Sequence, residues 1–357
     1  MSVTDQPDTK GSDLRRAQLN SALQNYNALA VSASVVPALA NALSLDALGT
    51  YRDRVAGANW VTDGGVGWAR VYGGTRAMRL SGSDGSAAQR AGSFEAGGAD
   101  FDRQISGLQV GQDLYRRNAG DDAAVRAGAY LGLTHAYADV DGIYAGDGQV
   151  GTVRMDGYSL GGYWTYAQPT GWYVDLNQMF SLYRDIRIDG GALGSMGTRG
   201  WGSTSAIEVG YDQRLRDGWF VEPQAQLVYQ ITRLSDARVG QSLQVDYASS
   251  QTVYARWGAR FGKTLEGARQ ATVYAHLDLW HTGGGNARTT YGVPGRMGQT
   301  GLPLGTDMGG AWLQTGFGIH GTLMRNLSVH AALDYQRGFQ GSGSHGVMGY
   351  AGLRLAW

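Results

Sequence analysis

Three stretches of this 357-residue sequence carry residue types whose spacing does chemistry in other folds. Gly157-Tyr158-Ser159-Leu160-Gly161 matches G-x-S-x-G, where a serine becomes a nucleophile on a sharp turn from strand to helix. Gly316-Phe317-Gly318-Ile319-His320-Gly321 and Gly341-Ser342-Gly343-Ser344-His345-Gly346 match G-x-G-x-x-G, whose glycines let a helix start approach a pyrophosphate. His276 and Asp278 share a face two residues apart, with His281 following, an arrangement that serves a metal or a hydrolase inside a barrel.

None of the three has the context its chemistry needs. Alternation of apolar and polar residues runs from Ser159 straight on through Gly162-Tyr163-Trp164-Thr165-Tyr166, which leaves no room for a nucleophile turn. Neither glycine motif opens a helix inside a βαβ unit. Glycine supplies 57 of the 357 residues, about twice its usual ~7% share, so chance accounts for such matches. His276 and Asp278 read as the lining of a polar interior, and Trp280-His281 as members of a membrane-interface girdle. The sequence therefore assigns no catalytic residue, metal ligand or cofactor, and the chain reads as a protein that is not an enzyme.

Composition narrows the class. Thirty basic and thirty acidic side chains cancel, so there is no electrostatic footprint for nucleic acid. Cysteine is absent, which suits a chain that crosses an oxidising periplasm. Tyr (20) and Trp (10) are abundant, and both sit well where lipid meets water. No apolar run reaches the ~18–20 residues of a transmembrane helix, which argues against a helical membrane protein and leaves a β-barrel open. Met1 to Lys10 has no apolar core of a signal peptide, so the chain reads as a piece of a longer exported protein.

The elements follow from periodicity. Residues 1–34 read as a linker, the remnant of something longer, and 1–26 as a polar tail. Residues 35–56 read as one helix: Val35 to Leu48 is rich in Ala and Leu, Pro37 suits a first turn, and the helix continues through Arg52 and Arg54. The 19 residues from Pro37 to Val55 would span about 28 Å, the depth of a bilayer core.

From 57 to 357 the period is two. In Trp219 to Ile231, Val221, Ala225 and Leu227 share one face and Glu222, Gln224 and Gln226 the other. Asp175 and Asn177 alternate with Val174 and Leu176 in the same way. The runs are 10–16 residues long, against about 5–6 for strands of soluble proteins. Strands are placed at roughly 66–80, 102–117, 122–139, 150–167, 171–187, 200–215, 218–233, 243–263, 269–282, 309–323, 326–338 and 343–357. Short turns such as Pro169-Thr170-Gly171 alternate with long glycine-rich connections at 81–101, 186–199 and 283–308. The expected fold is all-β: a transmembrane antiparallel up-and-down barrel of about twelve strands with an N-terminal helix in its lumen. Twelve strands leave room for one ~10 Å helix, and Ala38 and Ala42 keep this one slim.

Several segments resemble the autotransporter β-domain family over roughly residues 35–357. They are Leu48-Gly49-Thr50-Tyr51-Arg52-Asp53-Arg54-Val55, Gly67-Trp68-Ala69-Arg70-Val71-Tyr72-Gly73-Gly74, Gly107-Leu108-Gln109-Val110-Gly111-Gln112-Asp113 and Phe220-Val221-Glu222-Pro223-Gln224-Ala225-Gln226-Leu227. The terminal Leu353-x-Leu355-x-Trp357 completes them, and it reads as the assembly signal.

The resemblance implies a translocator domain in the outer membrane of a Gram-negative bacterium, one that anchors and exports an N-terminal passenger. Implied partners are membrane lipid and lipopolysaccharide, the barrel-assembly machinery, periplasmic chaperones and a covalently attached passenger, with the barrel itself a monomer. In this reading Pro37, Ala38, Ala42, Arg52 and Arg54 belong to the lumen helix. Arg70, Asp175, Asn177, Glu222, Gln224, Gln226, His276 and Asp278 line the lumen, with Arg52 and Arg54 facing carboxylates such as Glu222 or Asp175. Two features depart from the family: residues 1–34 are too short for a passenger, and no Asn-Asn pair marks a self-cleavage site. A free-standing porin- or adhesin-type barrel with a helical plug is the alternative.

Overall fold

The computed structural model describes residues 9–55, 65–79, 81–82, 99–117, 123–141, 148–191, 194–240, 243–265, 270–295, 297, 302–341 and 344–357, with side chains described from Ala28 onward except at 81–82, 302–304 and 340–341. The chain opens with helices α1 (Thr9–Leu48) and α2 (Tyr51–Val55). The strands that follow are β1 (Val66–Arg79), β2 (Ser81–Gly82), β3 (Asp100–Arg117), β4 (Ala124–Asp141), β5 (Gln149–Ala167) and β6 (Trp172–Asp189). Next come β7 (Ser195–Tyr211), β8 (Gln213–Arg214), β9 (Trp219–Leu234), β10 (Ala237–Val239), β11 (Leu243–Tyr247) and β12 (Ser250–Leu265). The last are β13 (Ala271–Gly284), β14 (Asn286–Gly292), β15 (Leu302–Asp307), β16 (Gly310–Met324), β17 (Leu327–Gly341) and β18 (Ser344–Ala356).

Twelve long strands (β1, β3 to β7, β9, β12, β13, β16 to β18) pair antiparallel with their neighbours, and β18 pairs back onto β1, from Val66 opposite Ala356 to Met78 opposite Ser344. Closure leaves the barrel sheet without a free edge among the described residues. The long strands fall where the alternation places them. Pro223, unable to donate to a ladder, is carried within β9 on the exposed face.

The faces are inverted relative to a soluble protein. Leu131, Leu160, Phe180, Leu227, Leu277, Phe317 and Leu333 stand exposed outside, while Arg70, Arg103, Glu208, Glu222, Arg256 and Asp278 are buried inside. An apolar surface of this extent needs a bilayer rather than water. Outward polar groups within that band find partners there: Gln178 donates to Ser203 Oγ (3.0 Å) and accepts from Ser205 Oγ (2.5 Å), and Thr315 donates to the His276 carbonyl (3.1 Å).

Four expectations are corrected. First, Pro37 is not in a first turn: α1 begins at Thr9 and carries Pro37 in its interior. Second, the helix does not run unbroken to Val55. It stops at Gly49, whose φ of 63° is left-handed, and restarts as α2. Third, Ala28–Leu48 is long and apolar enough to cross a membrane by composition, because Asp46 is its only charged residue; it lies largely buried inside protein instead.

Fourth, the long connections are not plain loops, and the strand placed at 243–263 is two elements. β6 continues to Asp189 through a bulge at Arg184-Asp185, which turns Ile186 and Ile188 inward. Five short strands, β10-β11-β14-β15-β2, form a second sheet at the end of the barrel with the long connections, and this is the cap. Residues 83–98 of the connection placed at 81–101 lie outside the described residues, as do 1–8 of the linker and Ser342-Gly343 of the second glycine motif.

Candidate functional site

The site is the lumen with its helix. The apolar stretch of α1 passes through the cap, where Leu29, Val31, Ala33, Val35 and Val36 pack with Leu243, Val245, Tyr247 and Tyr291. Pro37 has no N–H, so the carbonyl of Ala33 loses its helical partner. The Tyr247 hydroxyl donates to that carbonyl (3.3 Å), and Tyr291 donates to the carbonyl of Ala30 (2.7 Å). Burial pushes the Tyr247 hydroxyl well above the usual phenol range, which keeps it protonated and a donor.

Further in, the helix meets polar wall. Asn41 donates to Thr252 Oγ1 (3.1 Å) and accepts from Thr232 Oγ1 (2.6 Å); Ser44 and the Tyr183 hydroxyl are 2.7 Å apart; Asp46 binds Arg103. At the helix end Arg70 and Gln109 both donate to the Ala47 carbonyl, the latter at 2.7 Å. A side chain at Gly49 would collide with the Arg70 guanidinium. The restart is capped by Asp53, which accepts from the Thr50 N–H at 2.7 Å.

α2 carries the two arginines. Arg52 Nε donates to Glu222 Oε1 (2.7 Å), whose carboxylate also accepts from Arg260 (2.8 Å) and Gln224 (2.9 Å). Arg54 binds Asp175, which also accepts from Thr165 (2.5 Å). The Tyr51 N–H and the Tyr173 hydroxyl both reach Glu208, at 3.2 and 2.9 Å. From Glu208 an ionic chain runs along the wall through Arg256, Asp278 and His276 to Asp334. His276 spends both ring nitrogens on these carboxylates, at 2.6 and 2.9 Å, so neither is free to act as a base. The geometry is that of a plug held by charge-assisted bonds.

Ala38 is buried and Ala42 half-buried on α1. Asn177 accepts from Tyr130 (2.8 Å), and Gln226 reaches the Gly49 carbonyl at 3.4 Å. Leu353, Leu355 and Trp357 stand on the outer face, and the Trp357 ring lies across Gly65 and Gly67. Trp280 is not a girdle residue: it faces the lumen and stacks on Trp312. Ser159 sits mid-strand in β5 with Ser181 as its partner (2.9 Å), and Gly316–Gly321 lies inside β16.

Glu208, Arg256, Arg260, Arg103 and Asp334 were not singled out, although each occupies an inward position of an alternating strand. Asn41 and Asp46, polar within an Ala/Leu run, were equally legible. Tyr247 and Tyr291 left no sequence signal.

A closed twelve-stranded barrel with an apolar outer face and a helix threaded through a polar lumen is the architecture of an outer-membrane translocator domain. The family model for the autotransporter beta-domain matches residues 67–334, and the chain belongs to that family. It is similar to the pertactin autotransporter of Bordetella bronchiseptica, 30% identical over 261 residues that cover 70% of this chain and 26% of that protein. The BrkA autotransporter of Bordetella pertussis is 30% identical over 218 residues, covering 58% of this chain and 21% of that one. The chain thus spans about a quarter or less of the length of the curated relatives it matches. In fold it is similar to the Bordetella BrkA beta domain (TM-score 0.58, 23% identity, 83% of this chain and 100% of that one). The NalP translocator domain of Neisseria meningitidis gives a TM-score of 0.59 at 14% identity, covering 92% of this chain and 97% of that one. The barrel accordingly resides in the outer membrane of a Gram-negative bacterium.

Proposed function

We propose that this domain anchors a passenger attached ahead of α1 and carries it through the barrel to the cell surface, leaving α1 and α2 in the lumen when transport ends. One observation carries this reading. α2 lies at the short-turn end of the barrel, beside β1 and β18, and α1 leaves through the cap; with short turns on the periplasmic side, as in bacterial barrels, chain upstream of Leu29 heads outward. The role is transport and anchoring, without catalysis. The Leu353, Leu355 and Trp357 face is the feature that barrel-assembly machinery and periplasmic chaperones read before closure, because an unfolded barrel cannot yet bury it. Once inserted, the barrel is a monomer whose outer face meets membrane lipid and lipopolysaccharide.

The test is an epitope placed ahead of residue 9 in a chain routed to the outer membrane. Antibody binding on intact cells is the expected result. Binding only after the outer membrane is permeabilised would reverse the topology and return the porin reading to first place.

A further inference from the structure

We propose that the lumen holds a halide-class anion between Arg76 and Arg103, beside the helix. α1 sits off-centre, packed on the β3 to β9 wall, which leaves two small cavities along its other side, of about 50 and 90 Å³. Both cavities are lined by Leu45, Asp46, Arg76 and Trp312. Arg76 and Arg103 are direct cross-strand partners facing inward, 8% and 2% exposed, and both line the smaller cavity.

Like charges opposed in this way repel. Asp46 answers one of them, since its carboxylate binds Arg103. Among the described residues Arg76 has no carboxylate partner: it donates to Ser344 Oγ at 2.9 Å and lies over the Trp312 ring. The Nε–H groups of Arg76 and of Arg103 both lack an acceptor. Two arginines against one aspartate leave one uncompensated positive charge and two orphan donors in a buried space. A small anion supplies the missing charge and acceptor together, and a guanidinium-lined pocket that also has an aromatic wall suits a weakly hydrated monovalent ion. Because Asp46 belongs to the helix, seating the helix and binding the anion are coupled.

The experiment uses the full folded chain in detergent micelles, with chloride and bromide as probes. The thermal transition should rise saturably with sodium chloride and not with sodium gluconate at matched ionic strength. Bromide-soaked crystals should show an anomalous peak within hydrogen-bond reach of both Nε atoms. R76M should weaken half-saturation by chloride about tenfold or more. R79Q, which alters an exposed arginine paired with Asp100, should leave it unchanged. An unchanged anion response in R76M overturns the proposal, as does a wild-type chain indifferent to anion identity. Bromide density without anion-specific stabilisation would mark an adventitious ion only. If R76M does not fold, the bromide map of the wild-type chain decides.

Discussion

Replacing Tyr247 by Phe should loosen the helix where it leaves the barrel, and replacing Pro37 by Ala should abolish that effect. Ala33 is fully buried, and Pro37 denies its carbonyl the usual i+4 donor, so the Tyr247 hydroxyl is the donor that satisfies it. Leaving a buried acceptor unsatisfied costs about 1–3 kcal/mol. The bond here is 3.3 Å, longer than a strong hydroxyl bond, which places the loss near about 1 kcal/mol. In a Pro37→Ala background the new N–H at position 37 restores the helical bond, and Tyr247→Phe should then cost a few tenths of that. The coupling energy of the double-mutant cycle is therefore about 1 kcal/mol. The cycle cancels the separate gain from removing a proline from a helix. Hydrogen exchange of the amides around 29–36 reads the local opening: Tyr247→Phe should lower protection about fivefold with Pro37 present and hardly at all without it. An equal loss in both backgrounds would show that the tyrosine acts by packing alone, and no loss in either would remove it from the account.

Four further outcomes follow from the same structure. Deleting residues 1–55 should leave a barrel that still shows heat-modifiable migration on gels and has a larger single-channel conductance, because the helix stabilises the lumen without pairing any strand; unchanged conductance contradicts the threaded helix. Leu227→Arg, half exposed on the outer face, should cost about 2–4 kcal/mol near the midplane, while inward Gln226→Ala should cost less than about 1 kcal/mol in the same denaturant titration; equal costs would count against a lipid-facing surface. Asp175→Ala should destabilise by about 3–5 kcal/mol because it strands a buried Arg54, and removing Arg54 as well should recover most of the loss; additive losses would argue against the pair. Deleting Trp357 should lower outer-membrane yield in fractionated cells far more than it lowers refolding into detergent, and normal yield would reduce that ring to an ordinary interface residue.

The barrel is legible in the amino-acid pattern alone. A period of two sustained over ten or more residues, twelve times, exceeds the strand length of soluble proteins, and that length assigns the polar face, with Glu222, Gln224 and Gln226 as the clearest example, to the lumen. The helix was legible as a helix because Ala and Leu dominate it, and Arg52 and Arg54 were legible as charges that a lumen must answer.

Pairings between distant residues depend on where separate strands meet. That Arg52 faces Glu222 and Arg54 faces Asp175 is set by the depth of the helix in the barrel, which no local pattern encodes. Pro37 illustrates the limit most directly. Read locally, a proline belongs at a helix start, because its missing N–H is harmless there. Inside α1 it is tolerated because a tyrosine from a distant strand supplies the missing donor, and the cap that carries this tyrosine is built from segments whose short strands are too brief for alternation to reveal. Arg76 is a similar case: its position inside was readable, but its lack of a carboxylate partner emerges only once Asp46 has been given to Arg103.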